Sequence, residues 1–202
     1  MEIEQTIRIG GLHMVKTEQD IIKLIQDDNE MMRILKIAKK LDLPDWWICA
    51  GFVRSKIWDT LHGFKKTTLP DVDVIFFDKT NIDELEEKRL EAKLHEMFPE
   101  VPWSVKNEAR MHMVNHFRPY TSSEDAISKF PETATALGVK LNHEDQIILT
   151  APCGIKDVVD LKVNPTPYFA KSSDRMAIYK ERIKKKNWQS IWHKINVYTP
   201  EG

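Results

Sequence analysis

Trp46–Asp78 reads WWICAGFVRSKIWDTLHGFKKTTLPDVDVIFFD. Its first part, Trp46–Ala50, is short and apolar and lies between Pro44 and Gly51. That pattern predicts a buried strand. Phe52–Leu61 follows, with Val53, Ile57 and Leu61 at i, i+4 and i+8, the spacing of one helical face. HGFKKTTLP has the composition of a loop. Asp71–Phe77 is β-branched and aromatic and predicts a second strand.

Two aspartates, Asp71 and Asp73, stand at the head of that second strand. Side chains two apart on a strand share a face, with Cα atoms about 6.5–7 Å apart. Two carboxylates so placed repel unless a proton or a cation comes between them. A divalent cation suits the position best. Magnesium takes hard oxygen ligands, usually one or two carboxylates completed by water and substrate phosphates. A pair of such ions about 3.5–4 Å apart serves in-line phosphoryl transfer. Taken alone, the pair reads more readily as solvated residues of a turn after Pro70.

Gly51 lies between the first strand and the helix. A helix N-terminus there offers free N–H groups and the positive dipole end, a seat for phosphate. Glycine allows close backbone approach. Arg54 and Lys56, in the first two turns, can add charge-assisted bonds to phosphate oxygens. The plainer alternative is an ordinary strand-to-helix turn with Arg54 on the surface.

Outward from this stretch, Thr17–Asp20 reads as a capping box that starts helical segments over about 17–42. Ile21, Ile22, Leu24 and Ile25 belong to the first, and Met31–Leu41 forms the second. Ile82–Phe98 is amphipathic and predicts a helix. Trp103–Met111 alternates: Trp103, Val105, Ala109 and Met111 share one face, with Asn107 its polar exception. Ser104, Lys106, Glu108, Arg110 and His112 share the other, so the segment predicts a half-buried strand. A short helix is expected near Ser123–Phe130, and a hairpin from Gly138–Leu141 and Gln146–Thr150. Ile155–Val163 predicts a helix, NPTP a break, and Ser173–Lys185 a last helix before the aromatic tail NWQSIWHKINVY. A split near 118–123 is the weaker alternative to one domain over 1–202, with its core over about 46–165 and a C-terminal helix and tail over about 172–202.

The bulk composition narrows the functional classes. The chain has 202 residues, 42% hydrophobic and 30% charged, with a formal net charge of -1. This is the balance of an ordinary globular protein, without a global field toward polyanions. No apolar run reaches the ~20 residues of a membrane span. The two cysteines, Cys49 and Cys153, form no C-x-x-C pair, which argues against a disulfide scaffold or a structural zinc site. The expected compartment is the cytoplasm. No phosphate-binding P-loop or dinucleotide-binding glycine motif is present.

Strand, glycine, helix with arginine, loop, then Asp-x-Asp on a strand is a rare order. It resembles the nucleotidyltransferase fold of the DNA polymerase β-like superfamily, in particular a family of small bacterial nucleotidyltransferases. The resemblance continues through WSVKNEARMH (103–112), FPETATALGVKL (130–141) and APCGIKDVVDLKVNP (151–165), and covers about residues 20–195. It implies an α/β fold of α+β type, a mixed or antiparallel central sheet flanked by helices, and extra helices at both ends. It also implies transfer of a nucleoside monophosphate from an NTP, with Mg²⁺, or Mn²⁺ in its place, and release of pyrophosphate. Asp71 and Asp73 match the family's metal-binding carboxylates. Where the tRNA-terminus-adding branch has Gly-Gly-x-Val-Arg-Asp, this chain has Ala50-Gly51-Phe52-Val53-Arg54-Ser55. Ala50 therefore replaces a glycine, and Ser55 replaces an acid whose role is not carried over.

A third carboxylate is expected from a neighbouring strand. Glu108 is the first candidate, with Lys106 and Arg110 beside it as phosphate ligands. Asp157 and Asp160 are weaker candidates. His112 and His116, four apart, do not read as a metal pair, and Cys49 reads as a small buried hydrophobe. YKERIKKKNW, with Lys180, Arg182, Lys184, Lys185 and Lys186 near Trp188 and Trp192, reads as a solvated helix face with its aromatics turned inward. The other reading of that segment is a nucleic-acid grip. Two functional readings follow: a metal-dependent nucleotidyltransferase acting on an unidentified acceptor, or a module of the same fold that binds nucleotide or a partner protein without turnover.

Overall fold

The computed structural model describes residues 14–199. Helix α1 (Glu18–Gln26) opens on Thr17, whose hydroxyl accepts from the Asp20 N–H at 3.1 Å while the Asp20 carboxylate accepts from the Thr17 N–H at 2.8 Å. This is the reciprocal cap that the sequence predicts. Helix α2 (Asn29–Lys39) is capped by Asp28. Then come β1 (Trp47–Cys49), α3 (Gly51–His62), β2 (Val72–Phe76), α4 (Glu84–Met97) and β3 (Trp103–Asn107). They are followed by α5 (Glu108–Val114), α6 (Ser123–Ile127), and the hairpin strands β4 (Gly138–Leu141) and β5 (Ile147–Thr150). The chain continues as α7 (Lys156–Val159), β6 (Lys162–Val163), α8 (Pro167–Ala170), α9 (Ser173–Lys186), a 3₁₀ turn (Trp188–Ser190) and β7 (Asn196–Val197).

The strands form a five-stranded sheet in the order β3-β2-β1-β4-β5, with β2 and β3 parallel and the other pairs antiparallel. Together with its flanking helices this is the expected mixed α/β architecture. Alternation sorts the sheet into two faces. Ile48, Val72, Val74, Phe76, Trp103 and Val105 turn to the large core, which α1–α4 cover with Ile21, Ile25, Leu35, Val53, Ile57 and Leu94. Trp47, Cys49 and Ile75 turn to a smaller cluster with Ile127 and Ala136. Asp73 falls on this second face. Central β1 touches β4 closely: a Cβ added at Gly138 would come within 2.8 Å of the Cys49 Sγ. Glycine is therefore required there for the strands to meet.

Both ends of the described chain join the large core. Trp188, Trp192 and Ile195 pack in it with α1 and α2. Trp58, fully buried, meets Trp188 and Trp192 edge-on at 5.8 and 5.2 Å. Truncating such a side chain to alanine costs about 3–5 kcal/mol.

Two sequence expectations are corrected. The strand expected over Trp103–Met111 stops at Asn107, and Glu108 begins α5. Asn107, the polar exception on the apolar face, is the reason. Its Oδ1 accepts from the Ala109 and Asp78 N–H groups, and its Nδ2 donates to the Asp78 and Asn81 carbonyls. It thus ends the strand, caps the helix and ties both to the loop after β2. The helix expected over Ile155–Val163 is only four residues long. Leu161 takes a positive φ of 57°, and Lys162–Val163 pairs in parallel with β7. The break at NPTP leads into α8, which is capped by Thr166 and has Pro167 in its first turn, where proline is well tolerated.

Candidate active site

Helix α3 begins without a side-chain cap, so its first N–H groups have no side-chain partner. Ala50, which occupies the N-cap, has φ 51° and ψ -111°. Such a conformation suits glycine and costs an alanine about 1–3 kcal/mol. Alanine at this position, where the resembling branch has glycine, is thus borne as local backbone strain. A Cβ built on Gly51 would lie 3.7 Å from Arg54 Nη2, so its absence keeps open the space beside the guanidinium.

Arg54 is not on the surface. It is 6% exposed and lies over the rings of Trp188, Trp58 and Trp192 at 4.5, 5.1 and 5.5 Å. Its Nη2 donates to Ser55 Oγ at 3.1 Å, and its Nε has no partner among the described residues. Burial pulls its pKa down to about 10, with the charges of Glu132, Asp71 and Asp59 opposing that shift. The group stays cationic at neutral pH.

Asp71 precedes β2 and Asp73 lies within it, opposite Ser104 in the register with β3. Burial first, and then the Asp71 charge, raise the Asp73 pKa, while Ser104, Lys186 and Arg182 pull it down. Glu108, 6% exposed at the start of α5, has its pKa pushed up to about 8 by burial and then by Asp73. Cys49, beside them on β1, is held well above the usual thiol range by burial and by the charges of Asp73, Glu108 and Asp45. Asp71, Asp73 and Glu108 therefore form one acidic region, in which Asp73 and Glu108 repel each other out of reach of full solvation.

The other cations named from sequence lie elsewhere or are engaged. Lys56 pairs with Asp28 at 2.8 Å. Arg110 makes a two-pronged pair with the fully buried Glu87 (Nε–Oε1 and Nη2–Oε2, both 2.9 Å), and Lys106 reaches the same carboxylate at 3.4 Å. Because β3 ends at Asn107, Lys106 and Arg110 do not share one strand face with Glu108. Asp157 accepts from Thr133 and Asn164, and Asp160 pairs with Lys156 at 2.6 Å. His112 lies on α5, while His116 follows the helix with φ 56°.

The C-terminal helix supplies what the sequence reading missed. Tyr179 turns inward, its hydroxyl donating toward the Val163 and Tyr198 carbonyls at 2.9 Å, as expected of that segment. Arg182 does not simply face solvent. Its Nε donates to Glu132 Oε1 at 2.7 Å, and Glu132, fully buried, also accepts from Thr135 at 2.8 Å. Arg182 and Lys186, one turn apart, both act on Asp73. The only sequence signal was their i, i+4 spacing on a basic helix.

Among the described residues, no three His, Cys, Asp or Glu side chains are gathered closely enough to hold a metal. The donor chemistry of Asp71 and Asp73 nevertheless fits a divalent ion. They are hard carboxylate oxygens, and the proton affinity of Asp73 is raised by burial and then by a like charge, which a cation relieves. Two carboxylates suffice when phosphate oxygens and water complete the shell.

A protein-family model described as nucleotidyltransferase matches residues 36–197. The chain belongs to this nucleotidyltransferase family. An NMR structure described as revealing a CCA-adding enzyme head domain is 41% identical, with a TM-score of 0.83, covering 92% of this chain and 97% of that one. Two larger proteins share the fold at 13% identity: a CCA-adding enzyme in complex with CTP (TM-score 0.52, 89% of this chain, 43% of that one) and the Thermotoga maritima CCA-adding enzyme complexed with tRNA (TM-score 0.51, 89% and 42%). The chain thus spans under half of those two enzymes. A search of curated proteins gives no match. No helix among the described residues is long and apolar enough to cross a membrane.

Proposed function

We propose that this nucleotidyltransferase moves a nucleoside monophosphate from an NTP to an acceptor hydroxyl and releases pyrophosphate, using Mg²⁺, or Mn²⁺ in its place, held by Asp71 and Asp73. One observation carries the reading: among the described residues, the half-buried Asp73 and the buried Glu108 lie within each other's field without a cationic hydrogen-bond partner, in a family that uses NTPs. When bound, the divalent ion neutralises phosphate charge and polarises the α-phosphorus. Asp71 and Asp73 present hard oxygens toward the triphosphate. The uncapped N-terminus of α3, with Gly51 leaving room beside Arg54, receives phosphate oxygens through backbone N–H groups and the guanidinium. Glu108 accepts the proton of the attacking hydroxyl on a carboxylate oxygen. Positioning and electrostatic stabilisation carry most of the rate. Arg182 and Lys186 extend the cationic side of the site toward Asp73, whereas Lys106 and Arg110 serve phosphate only if they leave Glu87.

The acceptor to test first is a nucleic-acid 3′ end. The 41%-identical relative is described as a CCA-adding enzyme head domain, and Lys180, Lys184 and Lys185 lie exposed on α9. Incubating the protein with each NTP, Mg²⁺ and pooled acceptors should yield sustained pyrophosphate release that Asp71→Ala and Asp73→Ala abolish. Release that persists in both variants would dismiss the assigned site. The second reading, a nucleotide-binding module without turnover, draws support from the lack of a preassembled three-residue metal cluster among the described residues. Calorimetric binding of Mg·NTP, weakened by Asp73→Ala and accompanied by no release with any acceptor, would favour it.

A further inference from the structure

Arg54 is a buried cation with no carboxylate against it among the described residues. Removing such a charge from water is expensive unless something compensates it. Glu132, Asp71 and Asp59 favour the charge from a distance, and the groups in direct contact are aromatic: three indoles face the guanidinium at 4.5–5.5 Å. Two of them, Trp188 and Trp192, come from the far end of the chain. Asn187, left-handed at φ 43°, ends α9 and turns the backbone into the 3₁₀ turn that carries Trp188. The tail is then fixed to α3. Trp192 Nε1 donates to Asp59 at 2.8 Å, the Lys194 N–H donates to His62 Nε2 at 3.0 Å, and Lys194 Nζ donates to the Leu61 carbonyl at 3.0 Å.

An indole face and a carboxylate hold a guanidinium with different consequences. A carboxylate neutralises the charge and competes with any incoming anion. An indole attracts the cation through its quadrupole and leaves its net charge and N–H groups in place. The Arg54 Nε is unsatisfied, Gly51 leaves space beside Nη2, and the helix start next to it has no side-chain cap.

We propose that Trp188 and Trp192 are positioning residues for nucleotide binding: the C-terminal tail clamps Arg54 between indole faces and presents it, charged and unpaired, to the phosphate chain at the start of α3. This rests on the nucleotidyltransferase reading of that site and adds a requirement for the tail. By linkage, an anion held at Arg54 stabilises the docked tail, and the docked tail strengthens anion binding.

The test is calorimetric titration of the full chain with inorganic pyrophosphate and Mg²⁺, comparing wild type, Trp188→Leu, Trp188→Phe and Asp73→Ala. Trp188→Leu removes the π face, and its Kd should rise about tenfold. Trp188→Phe keeps a π face and should stay within about threefold of wild type. In turnover, Trp188→Leu should raise KM for the NTP more than it lowers kcat, a split that a general loss of folded protein does not produce. Pyrophosphate bound as tightly by Trp188→Leu as by wild type, with Asp73→Ala weakened, would overturn the clamp and leave the active-site reading intact. Weakened binding in Trp188→Leu with Asp73→Ala unaffected would retain the clamp and remove the reading it rests on. Should Trp188→Leu fail to fold, wild-type tryptophan emission decides. It must change as pyrophosphate binds beside Trp188 and Trp192, and emission unchanged at saturation would overturn the proposal.

Discussion

Glu87 and Glu108 are both buried glutamates, 0% and 6% exposed, on neighbouring helices at the same edge of the sheet, yet their surroundings drive them in opposite directions. Glu87 accepts from both prongs of Arg110, from the Asn107 N–H and from Lys106. Burial would raise its pKa, but these partners outweigh burial and leave it lowered. Glu108 has burial and the Asp73 charge against it, and only a weak opposing effect from Lys106. The first is a satisfied structural ion pair that fixes α4 to the end of β3. The second is a carboxylate stored in an unfavourable state, the pattern expected where a substrate or cation completes the electrostatics.

Substitutions should separate the two by what they damage. The largest effect is expected from Asp73→Ala, which should lower pyrophosphate release at least about 100-fold while the thermal midpoint holds or rises, since a repelling charge is removed. Glu87→Ala should do the reverse. It leaves Arg110 without its partner and should cost about 3–5 kcal/mol in denaturant unfolding, with little change in the catalytic step for protein that remains folded. Equal damage to stability from both would erase the distinction.

The pH dependence gives a finer contrast. A raised carboxyl pKa means that the folded state binds more protons than the unfolded chain between about 4.5 and 8. The stability contributed by Glu108 is thus greatest at low pH and is lost as pH rises through that window. Glu87 has a lowered pKa, so its contribution is present above the ordinary glutamate range and is lost on acidification. Glu108→Gln should flatten the stability profile between about pH 5 and 8, and Glu87→Gln should flatten only its acid limb. Urea titrations across pH would show this. Smallest is the backbone effect at Ala50. Ala50→Gly should relieve the positive φ and raise stability by about 1 kcal/mol, strain relief exceeding the added entropy of the unfolded chain.

The order strand, Gly51, helix, Asp71-x-Asp73 and the cap on α1 were legible because they depend on local periodicity and on side chains a few residues apart. Glu108 was picked as a candidate on a strand that does not extend that far. Asn107 read as a flaw in an alternating pattern, whereas its side chain is the cap that starts α5 and turns Glu108 inward. Lys106 and Arg110 were read as phosphate ligands because their partner, Glu87, lies on the preceding helix and leaves no spacing signal. Arg54 was read as a first-turn phosphate ligand or a surface residue, and nothing local indicates that indoles from the C-terminal tail enclose it. Such contacts between distant segments are visible only once the sheet has assembled.

The central claim is that Glu108 and Asp73 form an acidic site awaiting a cation and a triphosphate. The most direct measurement is the proton balance of Mg·NTP binding, taken with a non-hydrolysable NTP at pH 7 by calorimetry in two buffers of different ionisation enthalpy. With its pKa near 8, Glu108 is largely protonated before binding and should give up its proton as the cation enters. Wild type should therefore release up to about one proton per nucleotide bound, and Glu108→Gln should release none. Binding without proton release in the wild type, or the same release in Glu108→Gln, would contradict the account.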